Sequence, residues 1–388
     1  MNKKVLLLGY VRKNVGDDLF ISMLLNRYKK IKFILRVDKI SFCDPFLNYK
    51  NLEIYETSEN ILKDDLSNVS ACIYVGGSIF IENENSISYR KTFNKFIRKC
   101  KKLDIPFFYL SSNFGPYKTN EFYNLCRSAF KNIKGITFRD KNSYEKFKNI
   151  ASVRYVPDLV FSLSLKKGKK IKNSIGISLI DLGLPARGED LNSLELKYLA
   201  MLKNNIEKFI NMGKEIYLYS FCEREGDLRF IKKLLGEINE YYLKKIKIVE
   251  YNGENDNLYR FIRMYSRMEK VICTRFHSLV MSLVFKQEIA VVSYSNKLDN
   301  LLEDINYDFN IVKIDQNIDK IIIKMDSFKK IDKKILKNYR KNSVGHFKMI
   351  DDSLKFRKLN NKVGIKGLSL KNRLNNKKNS YFNVLIEQ

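Results

Sequence analysis

The chain has 388 residues, with 72 Lys and Arg against 43 Asp and Glu, and its formal net charge is +29. The length suggests two domains of roughly 150 residues each. An apolar fraction of 45% with 13% aromatic residues excludes a generally disordered protein, and no apolar run reaches the roughly 20 residues of a membrane-spanning helix. The apolar start KVLLLGY is followed by NVGDDLF rather than by a small-residue cleavage site, so we expect a cytoplasmic globular protein.

The first part of the chain alternates apolar runs of strand length with segments of helical periodicity. The runs are, in order, KVLLLGY, IKFILRV, LEIYET, SACIYVGG, IPFFYLSS and GITFRD. Helical segments such as DDLFISMLLNRYKK and SYRKTFNKFIRKCKK lie between them. This alternation predicts an α/β fold with a doubly wound parallel sheet, so residues 1–165 are expected to form an N-terminal Rossmann-like domain. The polar, basic segment from Ser164 to Ser174 is the predicted linker.

The alternation restarts after the linker. The strand-like runs are SIGISLI, EIYLYSF, KIKIVEY, KVICTRF and EIAVVSY. A long helix is expected around LNSLELKYLAMLKNNIEKFINMG, with Gly213 just past its end, and another from Asp227 towards Tyr242. Residues 172–320 are therefore predicted to form a second Rossmann-like domain. It would face the first across a cleft, as in a GT-B-like fold.

A basic C-terminal extension, residues 321–388, is predicted to be helical and to pack back over the first domain. Residues 329–388 hold 17 Lys and Arg against 4 Asp and Glu. A solvated surface would explain this density, and so would peripheral contact with an anionic membrane at its inner face. The basic excess elsewhere is spread along the whole chain rather than focused in a stripe with aromatic partners, so nucleic acid is not an expected partner.

Six scattered cysteines form no C-x-x-C pair, and the chain has two histidines, His277 and His346. This spacing favours buried free thiols and gives no sign of a metal site.

Candidate functional residues follow the predicted strands, because ligands of open parallel sheets bind beyond the carboxyl ends of the strands. The first strand is followed by a loop-to-helix junction with Asn14, Gly16 and Asp17, which is not a G-x-G-x-x-G dinucleotide motif. Asp17 could be a helix N-cap or a carboxylate over a ligand.

The next strands of the first domain end in glycines and polar residues. These residues are Gly76, Gly77, Ser78, Asn113, Gly115 and Arg139. Paired glycines allow a ligand to approach the backbone closely, although a tight turn would use them equally well. An arginine at a strand end suits a carboxylate or a phosphate. Asp140 is expected to cap the following helix.

The sharpest cluster follows KVICT, where Arg275 and His277 precede an apolar helix. Lys297 follows the next strand at the corresponding place. Arg139, Arg275, His277 and Lys297 would then surround the cleft, and a helix N-terminus there would add its own attraction for anions. The set fits a small, multiply charged anion, although His277 could instead be a structural histidine.

Together these segments resemble the polysaccharide pyruvyl transferase family. The matching pieces lie between Gly9 and Lys297, and they are GYVRKNVGDDL, YVGGS, SSNFGPY, FRDKNS, VPDL and CTRFHSLVMSLVFKQEIAVVSYSNK. The sequence departs from the family pattern at Ser78, where a third glycine is usual, and at Asn113, where a glutamine is usual. Both departures lie on the acceptor side, so they leave the acceptor open.

The resemblance implies a transferase that moves a pyruvyl group from phosphoenolpyruvate to a sugar of a cell-surface polysaccharide, in capsule, cell-wall or exopolysaccharide synthesis. The sugar would be lipid-linked or nucleotide-linked, the product a ketal, and no cofactor would be needed. His277 would be the acid, with a near-neutral pKa, and Asp17 the base or orienter. Arg139, Arg275 and Lys297 would grip the donor. The resemblance also implies that residues 1–165 form the acceptor side and residues 172–320 the donor side. The alternatives are a GT-B glycosyltransferase using a nucleotide sugar and a non-catalytic protein that binds an anionic surface.

Overall fold

The computed structural model describes residues 4–165, 168–185, 189–254 and 256–353, together with the strand at 363–364. Seven parallel strands form the first sheet: β1 (Lys4–Gly9), β2 (Phe33–Val37), β3 (Leu52–Glu56), β4 (Val69–Val75), β5 (Phe107–Ser112), β6 (Gly135–Phe138) and β7 (Val153–Tyr155). Their order in the sheet is β3-β2-β1-β4-β5-β6-β7. The accompanying helices are α1 (Val15–Arg27), α2 (Ser86–Lys102), α3 (Asn120–Lys131) and α4 (Lys141–Glu145).

After the short strand β8 (Leu163–Ser164), a second parallel sheet follows. Its strands are β9 (Ile171–Ser178), β10 (Glu215–Ser220), β11 (Ile246–Glu250), β12 (Met268–Cys273), β13 (Glu288–Ser293) and β14 (Ile311–Lys313), in the order β11-β10-β9-β12-β13-β14. Its helices are α5 (Glu189–Asn192), α6 (Glu195–Asn211), α7 (Asp227–Glu237), α8 (Glu240–Leu243), α9 (Asn257–Tyr265), α10 (Phe276–Phe285) and α11 (Asn296–Ile305). Two parallel α/β sheets confirm the predicted fold class. One apolar core continues from α1 into α9 and α10, so it joins the two sheets beneath the cleft.

Local details depart from the sequence expectations in four places. The long helix of the second domain is divided into α5 and α6, and the helix that starts at Asp227 ends at Glu237 because Ile238 is extended. The strands β7 and β14 were not predicted, since each has only three residues and lies at a sheet edge. Gly213 has a φ of +76° just past α6, as predicted.

The C-terminal extension returns to the first domain as α12 (Lys333–Ser343) and α13 (Gly345–Ser353). The buried His346 bridges the Thr137 hydroxyl and the Pro157 carbonyl, each at 2.8 Å. Asp351 accepts hydrogen bonds from Arg27 at 2.6 Å and from the Tyr28 hydroxyl at 2.8 Å. These contacts make the extension part of the first domain's core.

Strand β15 (Val363–Gly364) pairs in parallel with β8, and the rest of the predicted extension after residue 353 lies outside the described residues. Within the described part of the chain, no helix is long and apolar enough to cross a membrane. All six cysteines are free and buried, as predicted. The predicted domain limits and linker remain predictions.

Candidate active site

The turn between β12 and α10 carries the R-x-H-S motif and is fixed by Ser178 at the end of β9. The Ser178 hydroxyl accepts hydrogen bonds from the backbone N–H groups of Thr274, at 2.9 Å, and of Arg275, at 3.3 Å. It also bonds the Ser278 hydroxyl at 2.7 Å. Because these contacts hold both ends of the turn, His277 has a fixed place in the first turn of α10.

Arg275 is paired with carboxylates of its own domain. Its guanidinium forms ion pairs with Glu225 and Asp227, and its Nε donates to the Leu179 carbonyl at 3.3 Å. Burial raises the pKa of Asp227 to about 6, partly offset by the charge of Arg275. Two carboxylates therefore occupy the guanidinium that was expected to grip the donor, and the structure does not support that expected contact. Neither acidic residue belonged to the predicted site.

Arg139, at the end of β6, is buried and reaches across the cleft. Its Nη1 donates to Asp158 at 3.1 Å, and its Nη2 donates to the side-chain oxygen of Asn113 at 2.8 Å. The guanidinium lies 3.8 Å from the centre of the Phe276 ring, a cation–π contact with the second domain. A Cβ on Gly77 would lie 2.5 Å from the guanidinium, so glycine is required there.

His277 packs against the backbone at the start of α1, from the other domain. A Cβ on Gly16 would lie 1.7 Å from Nδ1 of the imidazole, so only glycine leaves room for the ring. The Nε2 atom is buried, 4.0 Å from an Asp158 oxygen, with no hydrogen-bond partner among the described residues. Burial lowers the pKa of His277 well below 6.5, and the charges of Arg139 and Lys297 lower it further. The imidazole is therefore uncharged at pH 7, whereas the sequence led us to expect a pKa close to 7.

Asp17 lies in the first turn of α1 but is not its N-cap. The cap is Asn14, whose side-chain oxygen accepts from the Gly16 N–H at 3.0 Å and whose Nδ2 donates to Glu225 at 3.2 Å. A Cβ on Gly76 would lie 3.8 Å from an Asp17 carboxylate oxygen. Burial and the nearby Glu225 raise the pKa of Asp17 to about 7, although Arg139 and Lys297 act in the opposite direction.

Two helix N-termini reach the same edge of the second sheet. The helices α10 and α11 each have ten residues, and neither N-cap side chain, Arg275 or Ser295, bonds to its own helix. Their first N–H groups and their dipoles favour an anion, and Lys297 in the first turn of α11 adds a positive charge. This corner of the cleft combines backbone donors with a cation.

The structure brings together all but one of the predicted residues. Ser78 donates to Asn113 at 3.2 Å, which links the glycine pair to Arg139. Gly115 instead shapes a turn, with a φ of +97° and an N–H bond to the Phe80 carbonyl. Asp140 caps α4 through the Ser143 N–H, as predicted. In the part of the chain that the structure describes, no group of three His, Cys, Asp or Glu is arranged to hold a metal ion.

Sequence comparison identifies one family. The model of the family described as polysaccharide pyruvyl transferase matches residues 14–296, which include the cleft residues from Asn14 to His277 and end one residue before Lys297. No curated protein sequence matches the chain.

Comparison with solved structures supports the fold alone, because the identities are low. Anabaena HepE, solved with UDP and glucose, has a TM-score of 0.52 at 9% identity, over 92% of this chain and 100% of its own. UDP-GlcNAc 2-epimerase from Methanocaldococcus jannaschii has a TM-score of 0.55 at 14% identity, over 92% and 100%. MnaA of S. aureus, solved with UDP, has a TM-score of 0.56 at 10% identity, over 92% and 98%. All three are similar to this chain over both sheets.

Proposed function

The chain belongs to the polysaccharide pyruvyl transferase family, and we propose that it transfers a pyruvyl group from phosphoenolpyruvate to two hydroxyls of a sugar, forming a cyclic ketal. The observation that carries this proposal is that one cleft holds a neutral His277, a protonatable Asp17 and two helix N-termini without a side-chain cap. Such a site offers a base, an acid and an anion cradle in one cleft.

Phosphoenolpyruvate would bind with its phosphate at the N-termini of α10 and α11, where Lys297 supplies a charge. Backbone N–H groups suit phosphate oxygens, because they can donate hydrogen bonds to them without first giving up an ion-pair partner. Arg139 would add positive potential while its own hydrogen bonds keep Asn113 and Asp158 in place. Arg275 would order the cleft through Glu225 and Asp227 rather than contact the donor.

The first step joins one sugar hydroxyl to C2 of the enol. Neutral His277 removes the hydroxyl proton as the oxygen attacks C2, and the C2–C3 electron pair takes a proton from Asp17 to form a methyl group. The product is a ketal that still carries phosphate, with an imidazolium at residue 277 and a carboxylate at residue 17. Each transfer would use a positioned group, which is typically worth about 10² to 10⁴ in rate.

The second step closes the ring. The C2–O bond to phosphate breaks with its electron pair on the phosphate oxygen, which takes the proton from the imidazolium. The second sugar hydroxyl adds to C2 and gives its proton to the Asp17 carboxylate. Both side chains return to their starting states, and the net products are the pyruvylated sugar and phosphate.

In these steps His277 is the base and Asp17 the acid, the reverse of the roles expected from the sequence. Binding of the donor would favour this assignment. Its negative charges would offset Arg139 and Lys297, the two cations that lower the pKa of both Asp17 and His277. Asp17 would become more fully protonated, and the pKa of His277 would rise towards neutrality, which makes the imidazole a stronger base.

Phosphate release tests the proposal directly. The purified protein is incubated with phosphoenolpyruvate and a panel of nucleotide-linked and lipid-linked sugars, and free phosphate and sugar mass are measured. We expect phosphate release that depends on one acceptor, with one ketal-linked pyruvate gained, and neither in His277→Ala. Transfer from UDP-glucose without phosphoenolpyruvate would favour the nucleotide-sugar alternative, since HepE has been solved with UDP and glucose.

Helix α12 supports a proposed contact with an anionic membrane, where a lipid-linked acceptor would lie. Leu336 and Tyr339 are buried on its inner face, while Lys333, Lys337 and Lys341 are exposed at helical spacing on the outer face. Each lysine near an anionic surface contributes about 1 kcal/mol. Vesicles containing phosphatidylserine should therefore bind the wild type more strongly than a triple Lys→Gln variant, and equal binding would contradict the contact.

A further inference from the structure

A second cavity lies in the first domain, at the carboxyl ends of β1 and β2 on the side covered by α2. It has a volume of about 440 Å³, which is in the range of ligand-binding pockets. Tyr74, Tyr89 and Phe93 form one wall, and Arg12 and Asp38 lie on another. We call this cavity the α2 pocket.

Both guanidinium groups that line the α2 pocket already have carboxylate partners. Arg12 forms an ion pair with Asp38. Arg36, which also lines the pocket, binds Asp64 at 2.7 Å and donates to the Glu59 carbonyl. A phosphate or carboxylate would have to compete with these carboxylates for the guanidinium groups. The pocket therefore favours a neutral ligand that both donates and accepts hydrogen bonds.

Among the aromatic residues that line the pocket, Tyr89 has an exposed ring, whereas Tyr74 is half-buried and Phe93 is buried. Tyr89 is 44% exposed, and its ring centre is 5.5 Å from that of Phe93, which lies 5.7 Å from Tyr74. The hydroxyl residues Ser88 and Thr92 on α2 lie beside these rings and also line the cavity. An apolar ring face together with several hydroxyl partners matches the chemistry of a pyranose, which has C–H faces and hydroxyls around its edge.

The α2 pocket also adjoins the catalytic loop. Gly9 and Val11 line it, and the same loop continues within a few residues to Asn14 and Asp17 in the cleft. Tyr74 of the pocket is separated by one residue from Gly76, which lies next to Asp17. A chain of linked sugars could therefore occupy the cleft and the pocket at the same time.

We propose that the α2 pocket binds one neutral hexopyranose of the acceptor, next to the sugar that receives the ketal. This inference rests on the proposed function for the role of the pocket, but the binding itself does not require turnover. An acceptor of two linked sugars would then bind more tightly than a single sugar, and the difference would come from Tyr89 and its neighbours.

Direct binding tests the pocket without catalysis. Cellobiose, lactose and N,N′-diacetylchitobiose are titrated against the wild type, Tyr89→Ala and the control Tyr241→Ala, with saturation-transfer NMR as the readout. Tyr241 is 75% exposed on α8 of the second domain, far from the pocket in the fold. We expect at least one disaccharide to bind the wild type and Tyr241→Ala equally, and Tyr89→Ala about five-fold more weakly, because this variant lacks the exposed ring face on which the sugar would lie.

Equal binding by the wild type and Tyr89→Ala, or no binding of any of the three sugars by the wild type, would overturn the proposal. Displacement of the bound disaccharide by inorganic phosphate or UDP, measured in His277→Ala, would also overturn the proposal, because the sugar would then occupy a site for anions. If Tyr89→Ala loses sugar binding while no phosphate is released from phosphoenolpyruvate by the wild type, the pocket stands and the proposed function fails. If pyruvyl transfer to the disaccharide has the same KM in both proteins, the function stands and the pocket fails.

Discussion

The contact between Gly16 and His277 leads to a sharp prediction for Gly16→Ala. The added Cβ would lie 1.7 Å from Nδ1, 2.2 Å from Cε1 and 2.3 Å from Cγ of the imidazole. Ordinary carbon contacts lie at about 3.5–4.0 Å, so the ring has to move by roughly 2 Å. A misplacement of about 1 Å can already cost 10²-fold. We therefore expect kcat to fall by about 10² to 10⁴, or about 3 to 5 kcal/mol of barrier.

Gly16→Ala should change the thermal unfolding temperature of the protein much less than it changes kcat. Gly16 lies within α1, where alanine has a higher helix propensity than glycine, so its backbone tolerates the change. Gly236→Ala is the matched control, because Gly236 lies in α7 and a Cβ there would meet no atom within 4 Å. It should retain full activity. The assay is steady-state phosphate release, with thermal unfolding measured in parallel.

A double variant separates the contact from a general effect on the fold. If Gly16 acts through His277, then Gly16→Ala in a His277→Ala background should lose little further activity. Wild-type kcat in Gly16→Ala, or fully additive losses in the double variant, would refute the argument that glycine is needed to seat the imidazole.

Four further predictions follow from the same geometry. Because Asp17 must be protonated and its pKa is raised to about 7, kcat/KM should fall above pH 7 in the wild type, and the residual activity of Asp17→Asn should lack this limb; the ionisation of the substrate is common to both. His277→Asn cannot accept a proton, so its kcat at saturation should fall by about 10² to 10⁴, whereas unchanged turnover would remove His277 as the base. Arg275→Lys should lower Tm and leave the KM for phosphoenolpyruvate close to the wild-type value, since Glu225 and the buried Asp227 lose a planar partner while the donor loses no contact. Deletion from residue 344 onward should abolish cooperative unfolding, because α13 fills the first domain's core; a folded, active truncation would contradict this.

The sequence pattern predicted the layered fold and most of the cleft because both depend on short-range signals. Apolar runs of strand length identify buried parallel strands, and the residues that follow them must lie at the ligand-binding edge. This reasoning located Asp17, Arg139 and His277 without any knowledge of tertiary contacts. It could not detect β7 or β14, whose three residues each carry too little periodicity to separate a strand from a loop.

The acidic partners of the site depend on contacts between distant segments, and therefore no local pattern indicated them. Glu225 lies in a short 3-10 helix before α7 and meets Arg275, fifty residues away, as well as Asn14 of the other domain. Asp158 meets Arg139 beneath His277. The pKa directions of Asp17 and His277 come from burial, which sequence spacing does not reveal. The expected roles of the two residues were consequently the opposite of those proposed from the structure.

Charge compensation in the cleft is the reason why the proposed donor site consists largely of backbone groups. Arg275 is balanced by Glu225 and Asp227, and Arg139 is balanced by Asp158, so neither guanidinium offers an uncommitted charge to a ligand. Leaving such groups buried without partners would cost several kcal/mol per ion in the absence of substrate. Helix N-termini avoid this cost, because their N–H groups carry only partial charges and are already fixed by the fold. Backbone N–H donors leave no distinctive side chain in the sequence. The cationic side chains that the sequence does show therefore indicate the residues around the proposed anion site, and not the N–H groups that would bind the anion.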